Sequence, residues 1–255
     1  VTMQQQRGWP DAYAAWRTWR DRAEELRLLV FQVPAVPLRE MRGVVLFADV
    51  LPVVGVNSKD HPLARAFTLI HELTHLMLRK GGDERPAAEE TRSATEWEAI
   101  ERFADSSASA ALMPREQILD EHLVREKKRG AEWSTEEITK LAGAYRVSPV
   151  ALLTRLAMLD RVTWLFYKKW RAEWEKQWED RPKPKQSGGP SRVDTILSRV
   201  GPTYAALIMD SLERDMITPL AASDALNLKA HHFNKLKSAL MFGTAAPPPM
   251  EAAEG

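Results

Sequence analysis

Between Pro62 and about Lys80 the chain reads as one amphipathic helix that carries the run His71-Glu72-Leu73-Thr74-His75. Four residues are just over one helical turn, so both imidazoles stand on one face, one above the other. Two such rings can point at a single cation. Glu72 projects to one side, where it can take a proton from a water activated by that cation. The helix must therefore bury one stripe and leave the histidines open to a cleft. Ala66, Leu69, Ile70, Leu73, Leu76 and Met77 form the stripe expected to face a core, and His71 and His75 run along its edge. Two ordinary surface histidines would show the same spacing, so the flanking segments have to decide.

Those flanks are ordered as a folding unit. Residues 1–8 are polar and are expected to fray. Trp9 to about Arg27 carries Trp9, Tyr13, Trp16, Trp19 and Ala23 at helical spacing, with the aromatics expected in the core. Leu26–Val33 is β-like and stops at Pro34. Gly43–Ala48 and Leu51–Asn57 predict two strands joined by a turn at Asp49-Val50. Asp60 is expected to cap the motif helix, with Pro62 in its first turn and Lys80-Gly81-Gly82 as a left-handed C-cap.

A second helix is expected to open on the capping box Thr95-Glu96-Trp97-Glu98 and to run to Pro114. Its small residues from Ala104 to Ala111 predict close approach to another helix, and the helix with the His pair is the candidate. Glu101 and Asp105 lie four apart on one side, where burial without a partner would be costly. A cation on the facing helix would meet that cost.

The second half of the chain reads as helical. Pro114 opens a charged helix to about Arg129, Ser134-Thr135-Glu136-Glu137 caps one through Ala144, and Ser148-Pro149 starts another to near Leu159. Leu141, Val147, Leu152, Leu153 and Leu156 should tie the last two together in a layout like helix-turn-helix. Only Arg155 is offered there as a base reader, so DNA binding is not favoured. Thr163–Glu179 repeats Trp170, Trp174 and Trp178 every four residues, a stripe better read as packing than as a base-stacking platform. Residues 180–192 are a linker by composition. Residues 193–242 form a small all-helical unit, in which Ala221–Leu240 is a second helix-turn-helix candidate with Lys229, His231, His232, Asn234 and Lys235. The tail from Gly243, with three consecutive prolines, is expected to be disordered.

Composition removes several classes of function. The 255 residues hold no cysteine, which excludes disulfides, thiolate metal sites and a cysteine nucleophile, and fits a reducing compartment. A formal net charge of +1 gives no global field for nucleic acid. No apolar run reaches transmembrane length and no signal pattern opens the chain, so a cytoplasmic protein without a membrane partner is expected.

The motifs taken together resemble the ImmA/IrrE family of metallopeptidases. The resemblance lies in Leu51-Pro-Val-Val-Gly-Val-Asn57, Phe67-Thr-Leu-Ile-His-Glu-Leu-Thr-His75, Ile100-Glu101 through Leu112-Met113-Pro114, and Leu141-Ala-x-x-Tyr145-x-Val-Ser148 with Arg155-Leu156. It spans about residues 43 to 160; residues 193–242 resemble the helical extension of longer members only weakly. The family pattern puts a third metal-ligand Glu thirteen positions before the Pro of Leu-Met-Pro, which is Glu101. Glu101 and Asp105 also make the E-x-x-x-D of thermolysin-like zincins, in which the Asp orients a ligand His. Family members commonly carry Asn at the position of Asp105, and either side chain can accept an imidazole N–H. Glu96 and Glu98 compete for the ligand role but fall near the helix start and read as capping residues. Tyr145 and His122 are candidates for a second donor to the developing oxyanion.

The resemblance implies an α+β fold: a mostly helical zincin-like core with a small N-terminal sheet, then helical C-terminal segments. The expected domain plan, from the resemblance together with composition and periodicity, is a metallopeptidase domain over 1–160 (core 43–115, helical part 116–160), the Trp-rich helix 161–179, the linker, the 193–242 unit and the tail. The resemblance also implies Zn²⁺ held by His71, His75 and Glu101, with Glu72 as general base and then acid in hydrolysis of a peptide bond. The implied substrate is a helix-turn-helix repressor, cleaved in a stress response or in mobile-element induction. Longer members are implied to carry an N-terminal DNA-binding domain, and none is expected before Trp9. The competing expectation is a non-catalytic regulator or toxin–antitoxin-like component that binds a repressor or DNA through its helical C-terminal half.

Overall fold

Valine-rich segments on either side of a proline-bearing loop pair into the small sheet expected ahead of the motif helix. Its strands are β1 (Leu29–Val33), β2 (Gly43–Leu46) and β3 (Val53–Asn57), in the order β1-β3-β2. β3 runs parallel to β1, from Leu29↔Val53 to Val33↔Asn57, and antiparallel to β2, from Gly43↔Val56 to Leu46↔Val53. β2 is thus an edge. Alternation sends Val54 and Val56 to one face with Val30, and there they pack with Trp16, Ala23 and Leu69. The computed structural model describes residues 1–78, 94–179 and 190–242. The expected cap at Lys80-Gly81-Gly82, the linker segment 180–189 and the tail 243–255 lie outside them.

Two helices cover the buried face of the sheet, α2 (Ala12–Glu24) and α3 (Pro62–Leu78). Leu69 is fully buried on α3, with Leu73 and Leu76 beside it against the same core. Met77 departs from the expected stripe and is 77% exposed. Periodicity fixes the direction of a side chain; at the end of a helix it does not ensure a neighbour. The expected cap also moves by one residue. His61 Nδ1 accepts the Leu63 N–H at 3.3 Å, while Asp60 pairs with Arg42 at 2.7 Å. Pro62 sits in the first turn as its missing N–H allows.

Two buried polar side chains fix the start of α3 to the sheet. Asn57 donates from Nδ2 to the carbonyls of Val36 and Met41 at 2.9 and 2.8 Å, and accepts the Lys59 N–H. Arg65 donates to Gln32 Oε1 and to the carbonyls of Asp60 and Ser58.

α4 (Ala94–Leu112) packs along α3, and the fully buried Ala104, Ala108 and Ser109 allow the close approach read from the small residues. Thr95 stands inside this helix, so the expected capping box does not open it. The charged helix expected from Pro114 to Arg129 is two short ones, α5 (Arg115–Asp120) and α6 (His122–Glu126). At the break Glu121 leaves the helical backbone, with φ -58° and ψ 129°, and its carboxylate accepts the Tyr145 hydroxyl at 2.9 Å and pairs with Arg7.

α7 (Thr135–Ala144) and α8 (Pro149–Met158) begin on the predicted caps, Ser134 with Glu137 as a complete capping box and Ser148 accepting the Ala151 N–H. Ile138, Leu141, Val147, Leu152 and Leu156 are buried between them. Arg155 is only 7% exposed and donates Nε to the Met113 carbonyl at 2.9 Å, so it is unavailable to read a base. In α9 (Trp164–Glu179), Trp170 is buried, stacks on Trp174 at 5.0 Å and donates Nε1 to Thr135. That is the packing role expected of the stripe; the side chain of Trp178 lies outside the description.

The N-terminal residues do not fray. α1 (Met3–Arg7) has a complete capping box from Thr2 and Gln5. Gln6 is fully buried and donates Nε2 to the carbonyls of Leu112 and Tyr145. A five-residue helix is unstable alone, and these distant acceptors hold it.

The chain divides into two compact units, Val1–Lys183 and Pro184–Gly255. The second contains α10 (Arg192–Val200), α11 (Pro202–Glu213), α12 (Pro219–Leu226) and α13 (Phe233–Phe242). Ile196, Leu197, Met209, Leu226 and Leu236 are buried within it. Lys229, His231, Asn234 and Lys235 are exposed there. Among the described residues no helix is long and apolar enough to cross a membrane.

Candidate metal centre

His71 and His75 project from α3 toward α4, which answers with carboxylates in reverse order. The two Nε2 atoms are 3.0 Å apart. Glu101 bridges them, with Oε2 3.2 Å from His71 Nε2 and Oε1 3.2 Å from His75 Nε2. The three side chains offer one ligand atom each, all within 4.8 Å of one another. The donor set suits zinc. Tetrahedral Zn²⁺ with arms of about 2.0–2.1 Å separates its ligand atoms by about 3.3 Å, close to the separations found here.

Asp105, one turn beyond Glu101, accepts the His71 Nδ1–H at 3.0 Å. This bond fixes the ring and leaves Nε2 to face Glu101 and His75. Burial lowers the basicity of His71, but the hydrogen bonds to Asp105 and Glu101 outweigh it and hold the pKa up at about 10. Hydrogen bonds from His71 and His75 hold Glu101 down at about 2. These are properties of the protein groups by themselves.

Glu72 is set beside the pair and behaves oppositely to Glu101. Burial raises its pKa, against the lowering effect of His71 and His75. A carboxyl shifted upward is the better proton carrier near neutrality. Its place is defined by β2. A Cβ added to Gly43 would lie 2.6 Å from Thr68 Cγ2 and 2.8 Å from Glu72 Cδ, closer than packed atoms approach. Gly43 is therefore where the edge strand leaves room for the Glu72 side chain.

The structure thus brings together His71, Glu72, His75, Glu101 and Asp105. Glu96 and Glu98 are exposed and outside the cluster. Neither proposed oxyanion donor is drawn to it. The Tyr145 hydroxyl donates to Glu121, its pKa pushed up chiefly by burial and then by that carboxylate, and His122 is exposed and pairs with Glu126. Gly43 was not legible as a site residue, because no sequence pattern announces which strand crosses a helix. Trp97 was also missed: its indole stacks on His75, with ring centroids 5.8 Å apart and planes at 15°. Its spacing of four from Glu101 was the available signal.

The model of the M78 peptidases, described as an IrrE N-terminal-like domain, matches residues 27–157. No curated protein and no solved structure matches the chain. The matched stretch covers half of the chain and contains both helices of the candidate metal centre, so the protein belongs to the IrrE N-terminal-like family of M78 peptidases, the ImmA/IrrE family that its motifs resemble.

Proposed function

We propose that this protein is a zinc-dependent endopeptidase that hydrolyses a peptide bond in a regulatory protein, a helix-turn-helix repressor, in a stress response or in mobile-element regulation. The observation that carries the reading is Glu72 lying beside three convergent ligand side chains, His71, His75 and Glu101. A bound zinc would lower the pKa of water and polarise the scissile carbonyl. His71, oriented by Asp105, and His75 with Glu101 would hold it. Glu72 takes a proton from the attacking water as its oxygen adds to the carbonyl carbon, then delivers that proton to the amine as the C–N bond breaks. Its burial suits both halves of the task. The choice of a repressor as substrate rests on the family resemblance.

The test is cleavage of candidate helix-turn-helix repressors by the purified chain and by Glu72→Gln, with zinc measured in both. About one zinc per chain is expected in each, with cleavage lowered at least 10²–10⁴-fold in the variant. Undiminished cleavage by Glu72→Gln would remove the residue as base. No zinc and no cleavage in the unsubstituted chain would leave the non-catalytic alternative, for which the exposed Lys229, His231, Asn234 and Lys235 are the surface to test against DNA.

A further inference from the structure

We infer that Trp97 is a positioning residue for the second ligand histidine, doing by stacking what Asp105 does for His71 by hydrogen bonding. The inference rests on the metal-binding reading above. α3 and α4 run antiparallel at the centre, so Trp97, Glu101 and Asp105, each four residues from the next, meet the histidines in reverse order. Asp105 meets His71, Glu101 meets both rings, and Trp97 meets His75.

The two histidines are held differently. His71 Nδ1 has the Asp105 carboxylate. Among the described residues His75 Nδ1 has no hydrogen-bond partner, and the contacts of this ring are its Nε2 side toward His71 and Glu101 and its face. His71 meets it edge-on, with centroids 4.8 Å apart and planes at 61°. Trp97 lies nearly parallel to it at 5.8 Å, within the range of offset aromatic stacking. A ring held at Nε2 alone can still swing about its χ2 bond; a stacked indole resists that swing. Trp97 is also 37% exposed, which is more than a side chain retained for the core requires.

Zinc affinity, measured by competition with a chromophoric chelator, tests this on the full chain, Trp97→Ala, Trp97→Phe and Asp105→Ala, together with the absorption spectrum of each Co²⁺ form. Trp97→Ala should bind zinc about 2- to 10-fold more weakly and shift the Co²⁺ bands. Trp97→Phe keeps a flat face and should restore both, and melting of the metal-free variants should match that of the unsubstituted chain. Unchanged affinity and spectrum in Trp97→Ala, or equal loss in Trp97→Phe, would overturn the inference. So would equal loss of metal-free stability in both. If Asp105→Ala weakens binding and Trp97→Ala does not, only this inference fails. If the unsubstituted chain takes up no zinc, the metal reading fails and the inference falls with it.

Discussion

Gly43 and Glu72 lie so close that a methyl group on the strand residue would stand 2.8 Å from the Cδ of the glutamate. The edge strand thus sets the position of the proposed base without donating a side chain to it. Gly43→Ala should cost about 1–3 kcal/mol of stability by overpacking. Denaturant unfolding of Gly43→Ala, Glu72→Ala and the double variant checks the cause. The cost should shrink in the Glu72→Ala background, and strict additivity would show that the two side chains do not compete for space. Relief will be partial, since Thr68 Cγ2 is also in the way.

Zinc uptake should release a proton. His71 has an ordinary pKa of 6.5 and is held at about 10 in the folded chain, so at pH 7.5 its imidazole carries a proton that a metal must displace. Glu101, held at about 2, has none to lose. Calorimetry in buffers of different ionisation enthalpy should report about one proton from His71 at pH 7.5. Apparent affinity should rise roughly tenfold per pH unit over the same region. Zero net release would contradict the protonated His71.

The same groups set the pH dependence of the metal-free fold. His71, raised from 6.5 to about 10, contributes fully below pH 6.5 and loses its contribution as pH rises toward 10. Glu101, lowered from 4.5 to about 2, contributes above pH 4.5 and loses it as pH falls toward 2. Melting of the chelator-treated protein should therefore show the benefit of this pairing at its fullest between pH 4.5 and 6.5. Glu101→Gln should remove the acid-side part of that dependence.

Asp105 holds the His71 ring through one hydrogen bond. Asp105→Ala should weaken zinc binding about 10–100-fold, read by chelator competition. Asp105→Asn keeps an acceptor oxygen and should lose much less, whereas equal loss would assign the effect to charge.

Gln6 ties the N-terminal helix to two carbonyls that lie far along the chain, those of Leu112 and Tyr145. Gln6→Ala leaves these buried acceptors without it and should cost about 1–3 kcal/mol in chemical denaturation. A chain starting at Trp9 should be destabilised at least as much; a fraying segment would be removable at no cost.

Legibility in the sequence followed the range of the interactions. The caps at Ser134 and Ser148 were readable because a cap is made within three residues of itself. The helical spacing of His71 and His75 and the small residues of α4 were readable for the same reason. Asp60 and Thr95 satisfied the local rule for a cap and do not serve as one. Asp60 is engaged by Arg42, and α4 already includes Thr95. The contact of Glu121 at the helix break and the docking of α1 could not be read, because both reach Tyr145, which lies 24 and 139 residues from Glu121 and Gln6 respectively.

By itself the sequence determined which groups are available for the chemistry: two histidines one helical turn apart, a glutamate between them, and a carboxylate pair on a second helix, which the structure leaves partly exposed rather than buried. Periodicity and residue type suffice for that, since both act within a few residues. Only the tertiary structure decided how the pieces are held. It set α4 antiparallel to α3, so that Glu101 bridges both rings, Asp105 meets one and Trp97 the other. It also laid β2 across Glu72 at a residue without a side chain. The relative direction of two helices and the crossing of a strand over one are settled by the burial of a whole face, summed over many weak contacts. No single stretch of sequence carries that sum.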